Sequence, residues 1–340
     1  MKLTTLCYLE REDCYLMLHR VSKKNDVNRD KWIGIGGKFE PGESPEDCLL
    51  REAYEETGYR LTDYKLRGIV TFLFNENDAE YMFLYTATGF EGTPVSCDEG
   101  ELEWVPKGSI DGLYLWEGDR IFFELLKSGA PFFSLKLRYQ DDLLTEAALD
   151  GKPLDLLDVL DEKGNPSGLV RERTLVHLRG DFHRTVRVWI YRKREDRKVE
   201  ILLQKRSREK DTYPGCYDTS SAGHVLAGDE YFASACRELW EELGIKAGEG
   251  ELRLLGFYDE KYVTPWGENL FKNHERNAVY LYEGEVDGAA LRIQKEEVDS
   301  VCWMELSRAL SEVRAKNPEF CVPEEELLLL ERAFSERACS

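Results

Sequence analysis

One spacing occurs twice in the chain and limits what it can become. Residues 37–59 read GKFEPGESPEDCLLREAYEETGY, and residues 223–245 read GHVLAGDEYFASACRELWEELGI. Both stretches run Gly, five residues, an acid, seven residues, Arg-Glu, two residues, Glu-Glu, one residue, Gly. The first copy supplies Gly37, Glu43, Arg51, Glu52, Glu55, Glu56 and Gly58; the second supplies Gly223, Asp229, Arg237, Glu238, Glu241, Glu242 and Gly244. Glutamates at i, i+3 and i+4 share one face of a helix. Ser44 is placed to cap that helix, with Pro45 at its first position and Asp47 three residues after the cap. Gly58 suits a left-handed stop. Leu50, Ala53, Tyr54 and Thr57 are expected on the buried side, as are Cys236, Leu239, Trp240 and Leu243 in the second copy.

Three carboxylates on one face repel each other. A hard cation with oxygen ligands offsets that repulsion, and Mg²⁺ typically bridges carboxylates to substrate phosphates. Arg51 and Arg237 are expected to pair with Glu43 and Asp229 and so to orient the acids. A lone Glu-x-x-Glu-Glu would be an ordinary solvated face in a chain with 66 acidic residues. The full spacing, found twice, resembles the Nudix box. That resemblance implies two α/β/α sandwich domains, each a mixed sheet flanked by helices. It also implies hydrolysis of diphosphate linkages in nucleotides with Mg²⁺ or Mn²⁺. Gly37 joins Glu52, Glu55 and Glu56 in the metal set of the first copy, as Glu238, Glu241 and Glu242 form that of the second. Lys38, directly after Gly37, is counted with the substrate-binding residues.

Composition narrows the partners. The net charge of −20 argues against nucleic acid polymers and anionic membranes, and leaves small nucleotides or other diphosphates open because a metal site is locally positive. No apolar run reaches the length of a membrane span, and the opening MKLTTLCYLERED meets charge too early for a signal peptide. Nine Cys without a Cys-x-x-Cys pair fit reduced thiols in a cytoplasmic protein. Nothing in the sequence fixes the oligomeric state. At 340 residues two domains are expected, with a boundary near Asp150 in an acidic, turn-rich junction, giving 1–150 and 151–340.

The first half reads as a hairpin (3–9 and 14–20), a polar loop over 22–29, the box helix, strands over 65–74 and 81–89 around a 75–78 turn, a strand over 101–105, a helix over 118–126 and a closing hairpin (132–139 and 143–148). From about Leu3 to Leu149 it resembles the MutT-like hydrolases of oxidised purine nucleoside triphosphates, through KWIGIGGKFEPGES, GTPVSCDEGELEW, LWEGDRIFF and FFSLKLRY. The resemblance implies base contacts from Trp116 and Asp119, an apolar pocket from Phe72 and Phe74, a substrate contact from Arg20 and a metal-side acid at Glu99. An indole can stack a purine, and a carboxyl can share a proton with its edge. Two positions depart from the branch: Ile33 stands where an Asn hydrogen-bonds the base, and Gly118 where the first Asp of the base-reading pair stands, the second being Asp119.

The second half resembles the isopentenyl-diphosphate isomerase-like branch from about Leu157 to Leu310. The similarity is carried by LLDVLDEKGNPSGLVRERTLVHLRGDFHRTVRVWIY and LLQKRSREKDTYPGCYDTSSAGH. It implies a metal site from His177, His183, His224 and Glu275, with Asn273 replacing a further Glu, and diphosphate contacts from Arg206 and Lys210. The isomerases carry a Cys directly before the Gly-His pair, for proton transfer to the alkene. Here that position is Ala222, which has no proton to give, and the box acids are intact. Both features point to hydrolysis; isomerisation or a non-catalytic ligand-binding module are the alternatives. The acidic amphipathic helix expected over 324–334 is assigned to packing or dimerisation.

Overall fold

A computed structural model describes residues 1–21, 26–76, 79–210, 212–286 and 291–338. Parts of the loop expected over 22–29 and of the turn expected over 75–78 lie outside them. The chain divides into two compact units, Met1–Leu156 with Val170–Leu175, and Leu157–Leu169 with Val176–Ser340. The division therefore runs through the junction rather than falling at one residue.

The first unit runs β1 (Lys2–Arg11), β2 (Cys14–His19), β3 (Trp32–Ile33), α1 (Pro45–Thr57), β4 (Tyr59–Phe74), β5 (Glu80–Gly92), β6 (Glu101–Pro106), α2 (Asp119–Lys127), β7 (Phe133–Gln140), β8 (Leu143–Leu149) and β9 (Lys152–Pro153). The strands form one mixed sheet in the order β3-β2-β1-β5-β4-β7-β8-β9, with β6 also on β2. β1 and β5 run parallel, as do β4 and β7. Alternation along β1 sends Cys7 and Leu9 to one face, where they pack with Leu49 and Ala53 of α1. Tyr8 goes to the other face, against Phe122 and Phe123 of α2. The result is a three-layer α/β/α sandwich.

Within the junction, β10 (Leu156–Leu160) and β11 (Pro166–Glu172) form a two-stranded sheet, and α3 (Arg173–Arg179) follows. The second unit continues with β12 (His183–Lys193), β13 (Val199–Arg206), β14 (Tyr217–Asp218), β15 (Ser221–His224), α4 (Tyr231–Leu243), β16 (Leu252–Trp266), β17 (Asn269–Tyr282), β18 (Val298–Glu305), α5 (Leu306–Arg314) and α6 (Glu324–Ala338). Its sheet order is β14-β13-β12-β17-β16, with β15 on β12 and β18 on β13, and β12 and β17 are parallel. Val186, Val188 and Ile190 face Leu239 and Leu243 of α4. Trp189, Ile201 and Leu203 face Leu310 of α5 and Leu327 and Leu330 of α6.

The C-terminal helix is part of this core. Glu326 is fully buried; it accepts hydrogen bonds from Trp189 Nε1–H (2.8 Å) and the Tyr258 hydroxyl (2.7 Å) and lies 3.6 Å from Arg187. Among the described residues no helix is long and apolar enough to cross a membrane.

Candidate functional site

Helix α1 starts and stops as its sequence dictates. The Ser44 side chain accepts from Asp47 N–H (3.1 Å), Asp47 accepts from Ser44 N–H (3.0 Å), and Gly58 closes the helix at φ 75°. The buried stripe differs from the one expected. Cys48, Leu49, Ala53, Glu56 and Thr57 are covered, whereas Leu50 and Tyr54 are 36% and 49% exposed. The stripe turns toward the acids because the glutamates must meet the glycine loop lying over the sheet.

That meeting builds the site of the first unit. Gly36 N–H donates to Glu56 Oε2 (2.9 Å), and a Cβ at Gly37 would collide with the Glu52 carboxylate. The Gly37 carbonyl accepts Thr5 N–H (2.9 Å) and, more weakly, the Cys48 thiol (3.6 Å). Arg51 grips Glu43 with Nε (2.6 Å) and Nη2 (3.0 Å), and reaches Glu52 (2.8 Å) and Glu55 (3.2 Å) with Nη1. That guanidinium holds the Glu43 carboxyl down at about 2. Burial pushes Glu56 up to about 8, and raises Glu52 as well. Glu99 acts on both electrostatically and is ion-paired to Arg20, which also bonds Asp26 (2.6 Å). Arg20 therefore reaches the acid cluster through Glu99. Lys38 is exposed, and its carbonyl accepts from Arg51 (3.0 Å).

Buried, proton-hungry carboxylates with close glycine backbone suit a hard divalent cation. They also set the stability of the metal-free protein against pH. The folded state keeps the Glu56 proton up to about 8, while the reference carboxyl loses it at 4.5. Between those values the unfolded state binds fewer protons, so stability falls as pH rises. Metal-free Glu56→Gln is expected to melt above the unsubstituted protein near pH 9 and level with it near pH 5. Calorimetry at the two pH values checks this; an equal difference at both would sink the assignment.

The second unit repeats the device on α4. Ala222 N–H donates to Glu242 Oε2 (3.2 Å), and a Cβ at Gly223 would collide with the Glu238 carboxylate. Burial pushes Glu238 up to about 8 and Glu242 to about 7. The expected Arg237–Asp229 pair is replaced. Arg237 bonds Glu238 (2.7 Å), Glu241 (3.2 Å) and the His224 carbonyl (2.8 Å). The aspartate is one methylene shorter than Glu43, and the guanidinium turns to nearer acceptors. Leu239 and Leu243 are buried, but Trp240 is exposed and Cys236 only half-buried.

His177, His183, His224 and Glu275 come together from α3, β12, β15 and β17, with one ligand atom of each within 4.8 Å of the others. His177 and His224 Nε2 are 3.1 Å apart, and His183 Nε2 lies 3.6 Å from Glu275. His183 Nδ1 bonds the Asp181 carbonyl (2.9 Å), which turns Nε2 into the cluster. Asn273, two residues before Glu275 on the same face of β17, is 2% exposed with neither amide atom partnered, and His183 Nε2 is also orphaned. Orphaned buried polar atoms are costly, and a cation among imidazoles and a carboxylate relieves the cost. Arg206 and Lys210 depart from expectation. Arg206 is spent on Asp218 (2.9 Å) and the Thr212 carbonyl (2.9 Å), and Lys210 is ion-paired to Glu297. Both brace their loop.

In the first unit, Phe72 and Phe74 stand two residues apart on β4, with parallel rings 6.3 Å apart, and pack edge-on to Trp116. Trp116 donates to Asn28 Oδ1 (2.8 Å) and is only 4% exposed, so its faces are covered rather than open to stack a base. Burial pushes the Asp119 carboxyl up to about 8 against the pull of Lys31 and Arg120. Asn28, Lys31 and Tyr139 also surround the indole; Asn28 lies outside the family-like motifs, and Lys31 and Tyr139 lie in motifs that assign them no role.

A family model described as NUDIX domain matches residues 2–126 and 181–321. Nudix hydrolase 3 of Arabidopsis thaliana is 41% identical over 149 residues, 43% of this chain but only 19% of that protein's own length. The oxidized purine nucleoside triphosphate hydrolase of Danio rerio is 29% identical, covering 38% of this chain and 83% of that one. The isopentenyl-diphosphate Delta-isomerase of Pectobacterium atrosepticum is 33% identical, covering 28% of this chain and 50% of the isomerase.

Proposed function

The chain belongs to the NUDIX domain family through both halves, and from that membership we propose a tandem hydrolase of phosphoanhydride bonds with one site in each domain, 1–150 and 151–340. The first site takes purine nucleoside triphosphates, oxidised ones such as 8-oxo-dGTP among them, and with water releases the monophosphate and diphosphate. The observation that carries the reading is the carboxylate pair over a glycine loop in both units, Glu56 buried beside half-buried Glu52 in the first and Glu238 and Glu242 both buried in the second. The similarity to the zebrafish hydrolase supports the substrate class of the first.

Glu52, Glu55, Glu56, Glu99 and the Gly37 carbonyl would hold Mg²⁺ or Mn²⁺ in the first site, as Glu238, Glu241 and Glu242 would in the second. Such a cation, when bound, lowers the pKa of water and draws charge from phosphoryl oxygens. The chain's own part is to place the acids and move a proton. Arg51 with Glu43 fixes the pitch of Glu52, and Gly36 N–H fixes one oxygen of Glu56. The other oxygen of Glu56 is left to take a proton from the attacking water. On this reading Phe72, Phe74 and Asp119 would bound the base beside the covered Trp116, and Lys38 and Arg20 would serve the phosphates. We read the enzyme as cytoplasmic.

For the second site the substrate is another diphosphate compound. The imidazole cluster and the isomerase relative favour isomerisation of isopentenyl diphosphate as the second reading, and Ala222 opposes it. Product analysis with Mg²⁺ decides, using 8-oxo-dGTP, dGTP, ADP-ribose and isopentenyl diphosphate. Monophosphate and diphosphate from the triphosphates, with isopentenyl diphosphate unisomerised, is the expected result. No turnover of any nucleotide would overturn the hydrolase reading of the first site, and an isomerised product would overturn the hydrolytic reading of the second.

A further inference from the structure

Lys31 is among the most deeply buried cations of the first unit, at 3% exposure. Its ammonium lies 3.9 Å from the Tyr114 ring centre and 4.1 Å from that of Trp116. Its ion-pair partner, Asp142, is 3.3 Å away and largely in solvent. The backbone holds it in place. Lys31 N–H donates to the Asn28 carbonyl (3.0 Å), and its carbonyl accepts from Arg20 N–H (3.0 Å). The Asn28 side chain in turn accepts the Trp116 indole N–H (2.8 Å). One loop thus fixes both the cation and the indole that bounds the candidate base pocket.

Charge is what this wall has to offer. Ile33, two residues on, has no hydrogen-bonding side-chain atom. Aromatic rings shield Lys31 from water, so its field is stronger than that of a surface lysine; of the acids that act on it, Asp142 is solvated and Asp119 is pushed up to about 8 by burial, so they cancel only part of it. Purine edges differ in the sign they present. A 6-oxo purine shows an acceptor, O6, at C6, whether N7 accepts as in guanine or carries a proton as in 8-oxoguanine, whereas a 6-amino purine shows a donor there. A fixed cation attracts the first edge and repels the second, even without direct contact.

We propose that Lys31 is a specificity-determining residue of the first site, selecting 6-oxo over 6-amino purine nucleotides through its field and its hold on Trp116. The proposal rests on the nucleotide-hydrolase reading of that site. The full chain is assayed for kcat/KM on 8-oxo-dGTP and dGTP against 2-oxo-dATP and dATP, with Lys31→Met, Lys31→Arg and Asp142→Asn. Lys31→Met should cut the 6-oxo to 6-amino ratio about tenfold or more, through KM rather than kcat. Lys31→Arg should restore most of the ratio. Asp142→Asn, which removes the opposing charge at an exposed position, should widen it. A ratio unmoved in Lys31→Met, or an equal loss on all four nucleotides, overturns the proposal. Should Lys31→Met fail to fold by circular dichroism, an unmoved ratio in Asp142→Asn overturns it alone. If the unsubstituted chain turns over none of the four, the hydrolase reading falls and takes the proposal with it.

Discussion

Replacing Glu56 by Gln is expected to lower kcat for purine nucleoside triphosphates by about a thousandfold, in the range general acid–base groups contribute. The amide has the carboxyl's size and can still accept the Gly36 N–H, so the loop stays seated. It cannot carry charge for a cation or take a proton from water. Glu242→Gln, on the equivalent bond from Ala222, should leave this reaction within a few-fold of the unsubstituted rate and abolish only the reaction of the second unit. Steady-state assays at saturating Mg²⁺ with both variants test the pair. If Glu56→Gln keeps its turnover, this carboxylate is not part of the chemistry.

The second large effect is on stability. Glu326→Ala is expected to destabilise the second unit by about 3–5 kcal/mol, as removal of one partner from a buried ion pair does. The loss strands two donors at once, Trp189 Nε1–H and the Tyr258 hydroxyl, and takes one ion-pair partner from the Arg187 guanidinium. Arg187 retains Asp218 (3.1 Å) and Asn277 (3.2 Å), so its charge is not wholly unpaired. Glu326→Gln keeps one acceptor and the side chain's volume, and should cost about half as much. Urea denaturation of the full chain, following the transition of the second unit, gives both values. An alanine variant as stable as the original would mean that α6 is held by its leucines alone.

The local signals were legible because each rests on neighbours in sequence. Ser44, Pro45, Asp47 and Gly58 announce α1, and Arg51 finds Glu43 as the spacing suggests. What lay beyond one element was not. Which side of α1 is buried depends on the glycine loop, so Leu50 and Tyr54 were misjudged. Whether a cation is free depends on folding partners: Arg206 and Lys210 have motif positions, but Asp218, Thr212 and Glu297 engage them. The imidazole cluster draws on four elements, so no spacing could reveal it; the family likeness suggested it instead. Lys31 opens one of the family-like motifs, yet its role is not legible there, because its rings and acid arrive from distant segments.

In the parallel pair of β12 and β17, His183 sits directly opposite Glu275. A slip of one residue would turn Glu275 to the other face, and a slip of two would set Asn273 or Asn277 across from the imidazole. An ion that needs both His183 and Glu275 therefore binds one alignment of these strands and no other. Chelation would act as a proofreader of the sheet, and metal uptake during refolding would count the molecules that have zipped correctly.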